Sequence, residues 1–459
     1  MPINDNAAAE GEQKSTRFAG RYILFDTLAI AGLTLIVKLA GTAKSVVAAR
    51  YFGAGDALDC YLIAFLIPSF LSDVLAGAIN PALVPSLIDA AERNGNGSAQ
   101  AVYAHALYRG TLLLTLTGCV ALACAHTLLR VLGSGFSASK LSLAHTLMIA
   151  MLPILPLSAI GVVWRSVLNA QGRFIAAAVS PVLTPLVIIA FLVIAAGKYG
   201  VLALAAGTTI GGIAELCLLA FALRSANIPP FPSWRSGRVP DTSLRQQYGS
   251  IVVSNLALGG SGIVNQSMAA MLGPGSVSVL ALGSRAVSLL LTIGPTALMV
   301  AILPRLAKMT ALDQWFGLRR TVRNSMLLSM AALAMVSVIL FVFSKPVEQL
   351  VFQRGEFSAA DTLAVAHLQA LLVLQLPFVM GSAILMRVIV LLKLRKVLIY
   401  VSISSVLLTV GLNEVFTKHH GVAGIAIAAT LGQAMILIVL TFFVFRFLRR
   451  LCRERSAVN

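Results

Sequence analysis

Charged side chains are scarce in this sequence. Only 11% of its 459 residues are Asp, Glu, Lys or Arg, whereas 58% are hydrophobic and the mean hydropathy is +0.90. This composition excludes the soluble enzyme classes and indicates a polytopic membrane protein. Acidic residues are scarcer still, 17 against 35 basic ones, which gives a net charge of +18. A nucleic-acid-binding protein would carry such charge on one basic face. Here the basic residues are scattered over short loops, so we expect no nucleic-acid partner.

Motifs for metal binding and nucleotide hydrolysis are also missing. The five cysteines and six histidines show no metal-ligand spacing, and no Walker-type glycine loop is present. We therefore expect no metal site, no cofactor and no enzymatic activity. An intramembrane glycosyltransferase or ligase would need a carboxylate pair or metal cluster at a membrane face, and Glu414 with His419 and His420 matches that need poorly.

What the sequence does contain is a series of long apolar runs, which predict an all-α polytopic membrane protein with about twelve transmembrane helices. The runs lie at about 23–49, 59–88, 104–132, 141–166, 174–197, 200–223, 246–271, 277–304, 322–344, 362–391, 397–416 and 421–447.

Several landmarks recur at a nearly constant spacing. FGAG at 52–55 recurs as LGPG at 272–275, and the tripeptide FSA at 136–138 recurs at 357–359. Such a repeat indicates two six-helix halves with a cavity between them. We predict a cytoplasmic N-terminal tail at 1–22, an N-terminal lobe at 23–224, a cytoplasmic linker at 225–245, a C-terminal lobe at 246–447 and a basic cytoplasmic tail at 448–459.

The distribution of Lys and Arg over the loops predicts the orientation. Loops that share a side with the N-terminus carry 24 basic residues in or beside them, and the opposite loops carry 7. Basic loops stay in the cytoplasm, so we expect both termini to be cytoplasmic.

Besides Arg387 in the tenth run, three cations fall within the spans: Lys38 and Lys44 in the first run and Arg285 in the eighth. A charge at bilayer depth costs about 2.5 to 3.5 kcal/mol, so such residues are functional candidates by default. We predict that they face a shared cavity and bind an anionic substrate that carries a lipid tail. The alternative for the lysines is that their side chains extend to a membrane interface.

Three acidic residues accompany these cations. Asp59, near the outer end of the second helix, is predicted to pair with a cation across the cavity while the outer mouth is closed. The alternative is a helix N-terminal carboxylate favoured by the macrodipole. Asp73 is a further cavity candidate, and Glu215 is expected to be buried beside a polar neighbour.

Polar residues also mark the seventh and fourth helices. Asn255 and Asn265 lie among glycines and serines, where they predict either contacts with a sugar or ordinary interhelical hydrogen bonds. Trp164 and Arg165, at the inner end of the fourth helix, are expected to anchor that helix at the membrane interface.

Several segments resemble one family along the whole chain. ARYFGAGDALDCYLIAFLIPSFL, followed by ALVP, is similar to the first two helices of the lipid II flippase family, MurJ (also called MviN), in the MOP exporter superfamily. VLNAQGRF, ILPRLAK and PVEQLVFQRGEFSAADT continue the match.

The resemblance implies a MOP/MATE-like fold with two lobes around a cationic cavity. It also implies transport of an undecaprenyl-pyrophosphate-linked saccharide from the inner to the outer leaflet of the bacterial inner membrane by alternating access. An ion gradient or the membrane potential would drive this transport without ATP. The implied partners are membrane lipids and proteins of cell-envelope biosynthesis.

The resemblance also assigns roles to single residues. Lys38 and Lys44 fall where the family has substrate-binding arginines, Asp59 on its outer-gate aspartate and Arg285 on its cavity arginine.

The sequence also departs from the family pattern. Ser72 stands where the family usually has an arginine pair, and the two C-terminal helices of many members are missing. Two alternatives stay open: a flippase for an exopolysaccharide or O-antigen repeat unit, and a multidrug exporter of the same superfamily. The cations in the cavity argue against the exporter, because cationic drugs require carboxylates.

Overall fold

The computed structural model describes residues 32–233, 241–392 and 394–456, and within these ranges the chain is helical without strands. The N-terminal half contains α1 (Gly32–Phe52), α2 (Asp56–Leu71), a π-helical turn (Ser72–Ala76), α3 (Ile79–Asn94), α4 (Asn96–Ala123), α5 (Ala125–Leu132), α6 (Ala138–Met151), α7 (Ile154–Ala170), α8 (Phe174–Val179), α9 (Leu183–Tyr199) and α10 (Leu202–Ser225). The C-terminal half contains α11 (Asp241–Ala270), α12 (Ser276–Ala311), α13 (Trp315–Val342), α14 (Ser344–Phe352), α15 (Ala359–Val373), α16 (Leu376–Leu391), α17 (Arg395–His420) and α18 (Val422–Ser456).

The described helices have the lengths that membrane crossing requires. Eight spans are long and apolar enough to cross a bilayer, or nine if the bent pair α15 and α16 is one crossing. α11, α12 and α17 contain 30, 36 and 26 residues, so at about 1.5 Å per residue each exceeds the roughly 30 Å hydrocarbon layer. With these three, the architecture is consistent with the twelve predicted crossings of a multi-pass membrane protein.

Successive crossings place the connections alternately on two membrane faces. We call the face with residues 53–55, 273–275 and 353–358 the far face, and the face with residues 94–96 and 226–233 the near face. The predicted tail at 1–22 lies outside the described residues, as do residues 234–240 of the predicted linker. α11 begins at Asp241, before the predicted lobe boundary at 246, and α18 continues as a helix through most of the predicted basic tail.

Three buried apolar clusters organise the packing. One lies within the N-terminal half around Leu107 and Leu155, and another lies within the C-terminal half around Leu306 and Ile384. The third contains residues of both halves, among them Ile63, Met148, Val277, Phe357 and Leu372. Each half therefore has its own core, and the shared cluster, which includes the elements flanking the far-face turns, joins the two halves into one packed structure.

Candidate functional site

The second crossing bends around a proline and a π-helical turn. Pro68 lies inside α2, where it has no backbone N–H to donate to the helix ladder, and the wider turn follows at Ser72–Ala76. Gly77 ends this turn, and a Cβ atom there would lie only 2.2 Å from the carbonyl oxygen of Asp73, so the bend requires glycine. Asp73 therefore lies in the π-helical turn rather than on a regular helix face.

A cavity of about 350 Å³ lies beside this bend, within the N-terminal half. Its walls are largely apolar, and its polar lining includes Lys44, Asp73, Arg165, Thr184 and Glu215. We call this space the N-lobe chamber. It places one predicted cation, Lys44, and both predicted cavity carboxylates around a single volume.

An ion pair forms one wall of the N-lobe chamber. The guanidinium of Arg165 on α7 donates to the carboxylate of Glu215 on α10, and both side chains are mostly buried. Thr184 Oγ1 donates to the other carboxylate oxygen at 3.0 Å. The expectation that Glu215 has a polar neighbour is thus confirmed.

The predicted interface anchor is wrong. Trp164 is only 3% exposed and its Nε1–H donates to the carbonyl oxygen of Pro230 at 3.0 Å, while Arg165 points into the chamber. The pairing of Arg165 with Glu215 was not predicted, because Arg165 was assigned to a helix end. The sequence does carry a signal for this pair: Arg165 and Glu215 are opposite charges inside two apolar runs, and charges within the membrane tend to pair with one another.

Lys44 and Arg285 belong to opposite halves of the protein. They lie close enough for mutual electrostatic repulsion, and Arg285 is also within electrostatic range of Tyr61. The buried Nε–H of Arg285 has no hydrogen-bond partner among the described residues. An unsatisfied buried donor costs about 1 to 3 kcal/mol, so this part of the site favours an incoming acceptor such as a phosphate oxygen.

Lys38 lies nearer the start of α1 than Lys44 and is exposed. It is within electrostatic range of Asp73, which is likewise exposed towards the interior space. The three predicted cations are therefore not an isolated positive cluster, because Asp73 partly balances Lys38. Lys44 and Arg285 are the pair that repel each other.

A second chamber of about 390 Å³ lies between the two halves and shares Ser69 and Asp73 with the first. α11 contributes Asn255 to its lining, and Asn255 Nδ2 donates to the carbonyl oxygens of Asp73 and Val74 at 3.3 and 3.4 Å. Asn255 thus lines the interior space and also binds the opposite half.

Asn265 makes a different contact. Its side-chain oxygen accepts a hydrogen bond of 2.7 Å from Asn413 on α17, inside the C-terminal half. The interhelical alternative describes this residue better than contact with a sugar, because its oxygen already has a partner within its own half.

Asp59 closes the far face, but its partner differs from the prediction. The residue is 1% exposed, and its carboxylate accepts hydrogen bonds from the backbone N–H groups of Gly275 and Ser278, both at 2.7 Å, and from the Ser278 hydroxyl. These donors belong to the N-terminus of α12 in the other half. The predicted cationic partner is therefore wrong, because the helix N-terminus supplies the positive partial charge.

Backbone contacts complete this closure. The N–H of Glu356 donates to the carbonyl oxygen of Arg50 at 2.9 Å. A Cβ atom at Gly275 would lie 2.3 Å from the carbonyl oxygen of Ala54, and one at Gly355 would lie 2.4 Å from that of Arg50. The two halves thus meet backbone to backbone on the far face, which seals the interior space from that side.

The fold defines a structural class, which this chain shares with solved flippases and transporters. A solved lipid II flippase MurJ in an inward closed conformation aligns with a TM-score of 0.78 and 20% identity, covering 91% of this chain and 87% of that one. An inward-facing multidrug resistance MATE family transporter of the MOP superfamily aligns with a TM-score of 0.76 and 14% identity, covering 93% and 99%.

The sequence narrows this class to one family. The family model for lipid II flippase MurJ matches residues 48–454, and the chain belongs to that family. A probable lipid II flippase MurJ from Rhizobium meliloti (strain 1021) is 28% identical over 369 residues, which cover 76% of this chain and 66% of that protein. The match thus spans about two thirds of the length of this relative.

Proposed function

We propose that this protein is a flippase, not an enzyme, that carries a lipid-linked pyrophosphate saccharide from the inner to the outer leaflet of the bacterial inner membrane. The observation that carries this proposal is the approach of Lys44 and Arg285 from opposite halves. Two like charges repel unless an anion lies between them, and a pyrophosphate supplies negative charge to both. It also offers an acceptor to the buried Nε–H of Arg285.

Alternating access follows from where the two halves touch. Asp59 and the glycine turns seal the far face, while the two chambers lie between and beside the bent second crossing. A substrate that neutralises Lys44 and Arg285 removes the repulsion between the halves and allows them to rearrange around it. Breaking the bonds of Asp59 then opens the far face for release.

Lipid II is the first candidate substrate, because lipid II is named in the family description and in that of the relative. A second candidate is another undecaprenyl-linked repeat unit, as used for exopolysaccharide or O-antigen. Lys38 and Lys44 leave room for this second candidate, since they depart from the arginines of the family pattern and lack the two-pronged geometry with which arginine binds phosphate.

Mass spectrometry of lipid-linked intermediates after depletion of the protein in its own host separates the two candidates. Accumulation of a lipid-linked disaccharide-peptide assigns lipid II. Accumulation of another undecaprenyl-linked oligosaccharide, with peptidoglycan synthesis intact, assigns the second candidate. No accumulation of either lipid contradicts the flippase proposal.

Charge removal tests the site itself. Lys44→Ala and Arg285→Ala should each abolish complementation of a depleted strain while membrane abundance stays near the parent level. Lys418→Ala is the matched control, because Lys418 is exposed and pairs with Glu414 one turn away. Full complementation by both Lys44→Ala and Arg285→Ala would contradict the proposal that these residues bind an anionic substrate.

Orientation and energy coupling complete the proposal. The basic residues of the near-face loops support cytoplasmic termini, so a C-terminal fluorescent protein should fluoresce and a C-terminal alkaline phosphatase should be inactive. Transport against a gradient requires a driving force, and we propose an ion gradient or the membrane potential. Collapsing both with ionophores in proteoliposomes should then stop net transport.

A further inference from the structure

One wall of the N-lobe chamber has more hydrogen-bonding capacity than the protein itself uses. Arg165 donates to Glu215 from a single nitrogen, Nη1, although a guanidinium carries five N–H donors. Its other two nitrogens have no acceptor among the described residues, yet neither is fully buried. Because Arg165 lines the chamber, these donors are available to an oxygen atom of a ligand that enters it.

The charges of this wall cancel each other. The guanidinium of Arg165 neutralises the carboxylate of Glu215, which also accepts from Thr184 Oγ1 at 3.0 Å and from Ser180 Oγ at 3.5 Å. The wall therefore offers donors and acceptors without a net charge. A neutral polar ligand suits it, whereas a second anionic group would find no uncompensated cation there.

The rest of the chamber suits a sugar ring. Phe65 lines the same space and stacks on Tyr61, with the two ring centroids 5.8 Å apart. A sugar ring combines hydroxyl groups with apolar C–H faces, and such faces pack against aromatic rings. The chamber volume of about 350 Å³ also falls within the range of small-ligand sites.

Lys44 connects this space to the pyrophosphate of the proposed substrate. It lines the N-lobe chamber, whereas the described lining of the second chamber contains no basic residue. Asn255, in that second chamber, already donates to the carbonyl oxygens of Asp73 and Val74. The sugar attached directly to a pyrophosphate at Lys44 therefore has its nearest polar space in the N-lobe chamber.

We propose that the N-lobe chamber is a saccharide subsite, in which Arg165 and Glu215 bind oxygen atoms of the sugar next to the pyrophosphate. This inference rests on the proposed flippase function and adds residues that select the substrate by its sugar. Arg165 donates to hydroxyl or carbonyl oxygens, and Glu215 accepts from hydroxyl groups. A site built in this way disfavours a ligand without those groups, because its own polar atoms then stay unpaired.

Native mass spectrometry of the purified full-length protein tests the inference with three lipid probes: undecaprenyl pyrophosphate, lipid II and undecaprenyl-pyrophosphate-linked glucose. The measured quantity is the affinity for each saccharide-bearing probe divided by the affinity for undecaprenyl pyrophosphate. We call this quantity the saccharide ratio.

Removal of the polar wall should lower the saccharide ratio. Arg165→Met together with Glu215→Leu replaces the ion pair by apolar side chains, an exchange that buried pairs often tolerate. The ratio should fall about tenfold for at least one saccharide, as expected for the loss of one or two hydrogen bonds, while undecaprenyl pyrophosphate binding stays within about twofold. Lys418→Met together with Glu414→Leu is the matched control, because this exposed ion pair lines neither chamber.

A second variant fills the chamber and leaves the ion pair in place. Ser158 lines the chamber, and Ser158→Phe should also lower the saccharide ratio, because the added ring occupies the space of the sugar. Ser404→Phe is its matched control. Ser404 lines a separate groove between α17 and α18, so the same substitution there should leave the ratio unchanged.

The outcomes separate this inference from the proposed function. If no probe binds the parent, the proposed function fails and the inference fails with it. If undecaprenyl pyrophosphate binds but either chamber variant keeps the parent ratio, the saccharide subsite is wrong and the flippase proposal stands. An equal loss for all three probes in the Arg165 and Glu215 double variant would assign these residues a purely structural role and would also overturn the inference.

Discussion

Removing the charge of Asp59 should open the far face. Its carboxylate accepts two backbone hydrogen bonds of 2.7 Å and a third from the Ser278 hydroxyl, all from the other half. Asp59→Asn keeps the shape of the side chain but places an NH₂ donor opposite one of the N–H donors. The substitution therefore removes one charge-assisted bond and the attraction between the carboxylate and the N-terminus of α12.

The two losses set the expected magnitude. A hydrogen bond to a charged group contributes about 1.5 to 3 kcal/mol, and a charge at a partly buried helix terminus contributes up to about 2 kcal/mol. We expect the sealed state to lose about 3 to 4 kcal/mol relative to the open state. At 1.4 kcal/mol per factor of ten, the ratio of sealed to open molecules falls by about two to three orders of magnitude.

Spin labels measure this shift directly. In a background in which the exposed Cys119, Cys124 and Cys217 are replaced by serine, cysteines introduced at Ser139 and Ala360 place one label on each half, at exposed far-face positions. Pulsed electron spin resonance should then show a longer distance population in Asp59→Asn. Asp56→Asn is the matched control, because Asp56 pairs with Lys140 inside the same half and should leave the distances unchanged. An Asp59→Asn distribution identical to the parent would refute the reasoning.

Three further predictions concern packing and protonation. Gly275→Ala should weaken the far-face seal and shift the same spin-label distances, because the added Cβ meets the other half. Gly95→Ala is the control for backbone strain, since Gly95 has the same φ of 77° but open space around it, and it should leave the distances unchanged. Burial raises the pKa of Glu348 in α14 to about 7, above its value in the unfolded chain. The folded state therefore holds this proton more tightly, and stability should fall as the pH rises from 5 to 8. The melting temperature of Glu348→Gln should lose most of this pH dependence. Glu215→Leu should destabilise the protein by about 3 kcal/mol by leaving Arg165 unpaired, and Arg165→Met in the same chain should recover part of the loss in a denaturant titration.

The membrane architecture and the cationic positions could be predicted from sequence for a simple physical reason. An apolar run of spanning length forms a transmembrane helix with few alternatives, and a charge inside such a run is costly enough to mark a functional candidate. Lys44 and Arg285 are therefore candidates from the sequence alone, and in the structure their charges lie within electrostatic range of each other. Asp59 emerged as a far-face contact for the same reason.

The partners of these residues could not be predicted in the same way. Asp59 binds backbone N–H groups of α12, and such donors have no side-chain signature in the sequence. Arg165 and Glu215 lie 50 residues apart, and their pairing depends on α7 and α10 being neighbours in the N-terminal half. Asn265 was compatible with two interpretations until the position of Asn413 decided between them.

The central claim is that Lys44 and Arg285 jointly hold the anionic head group of a lipid-linked substrate during transport. Proteoliposomes that contain the purified protein and fluorescent lipid II, or a fluorescent undecaprenyl-linked repeat unit, test this under an imposed ion gradient and membrane potential. An impermeant quencher reports exposure of the head group on the other side. The account predicts rapid exposure with the parent protein and exposure at the rate of empty vesicles with the variant that carries both Lys44→Ala and Arg285→Ala. Equal rates for the parent and this variant would contradict it.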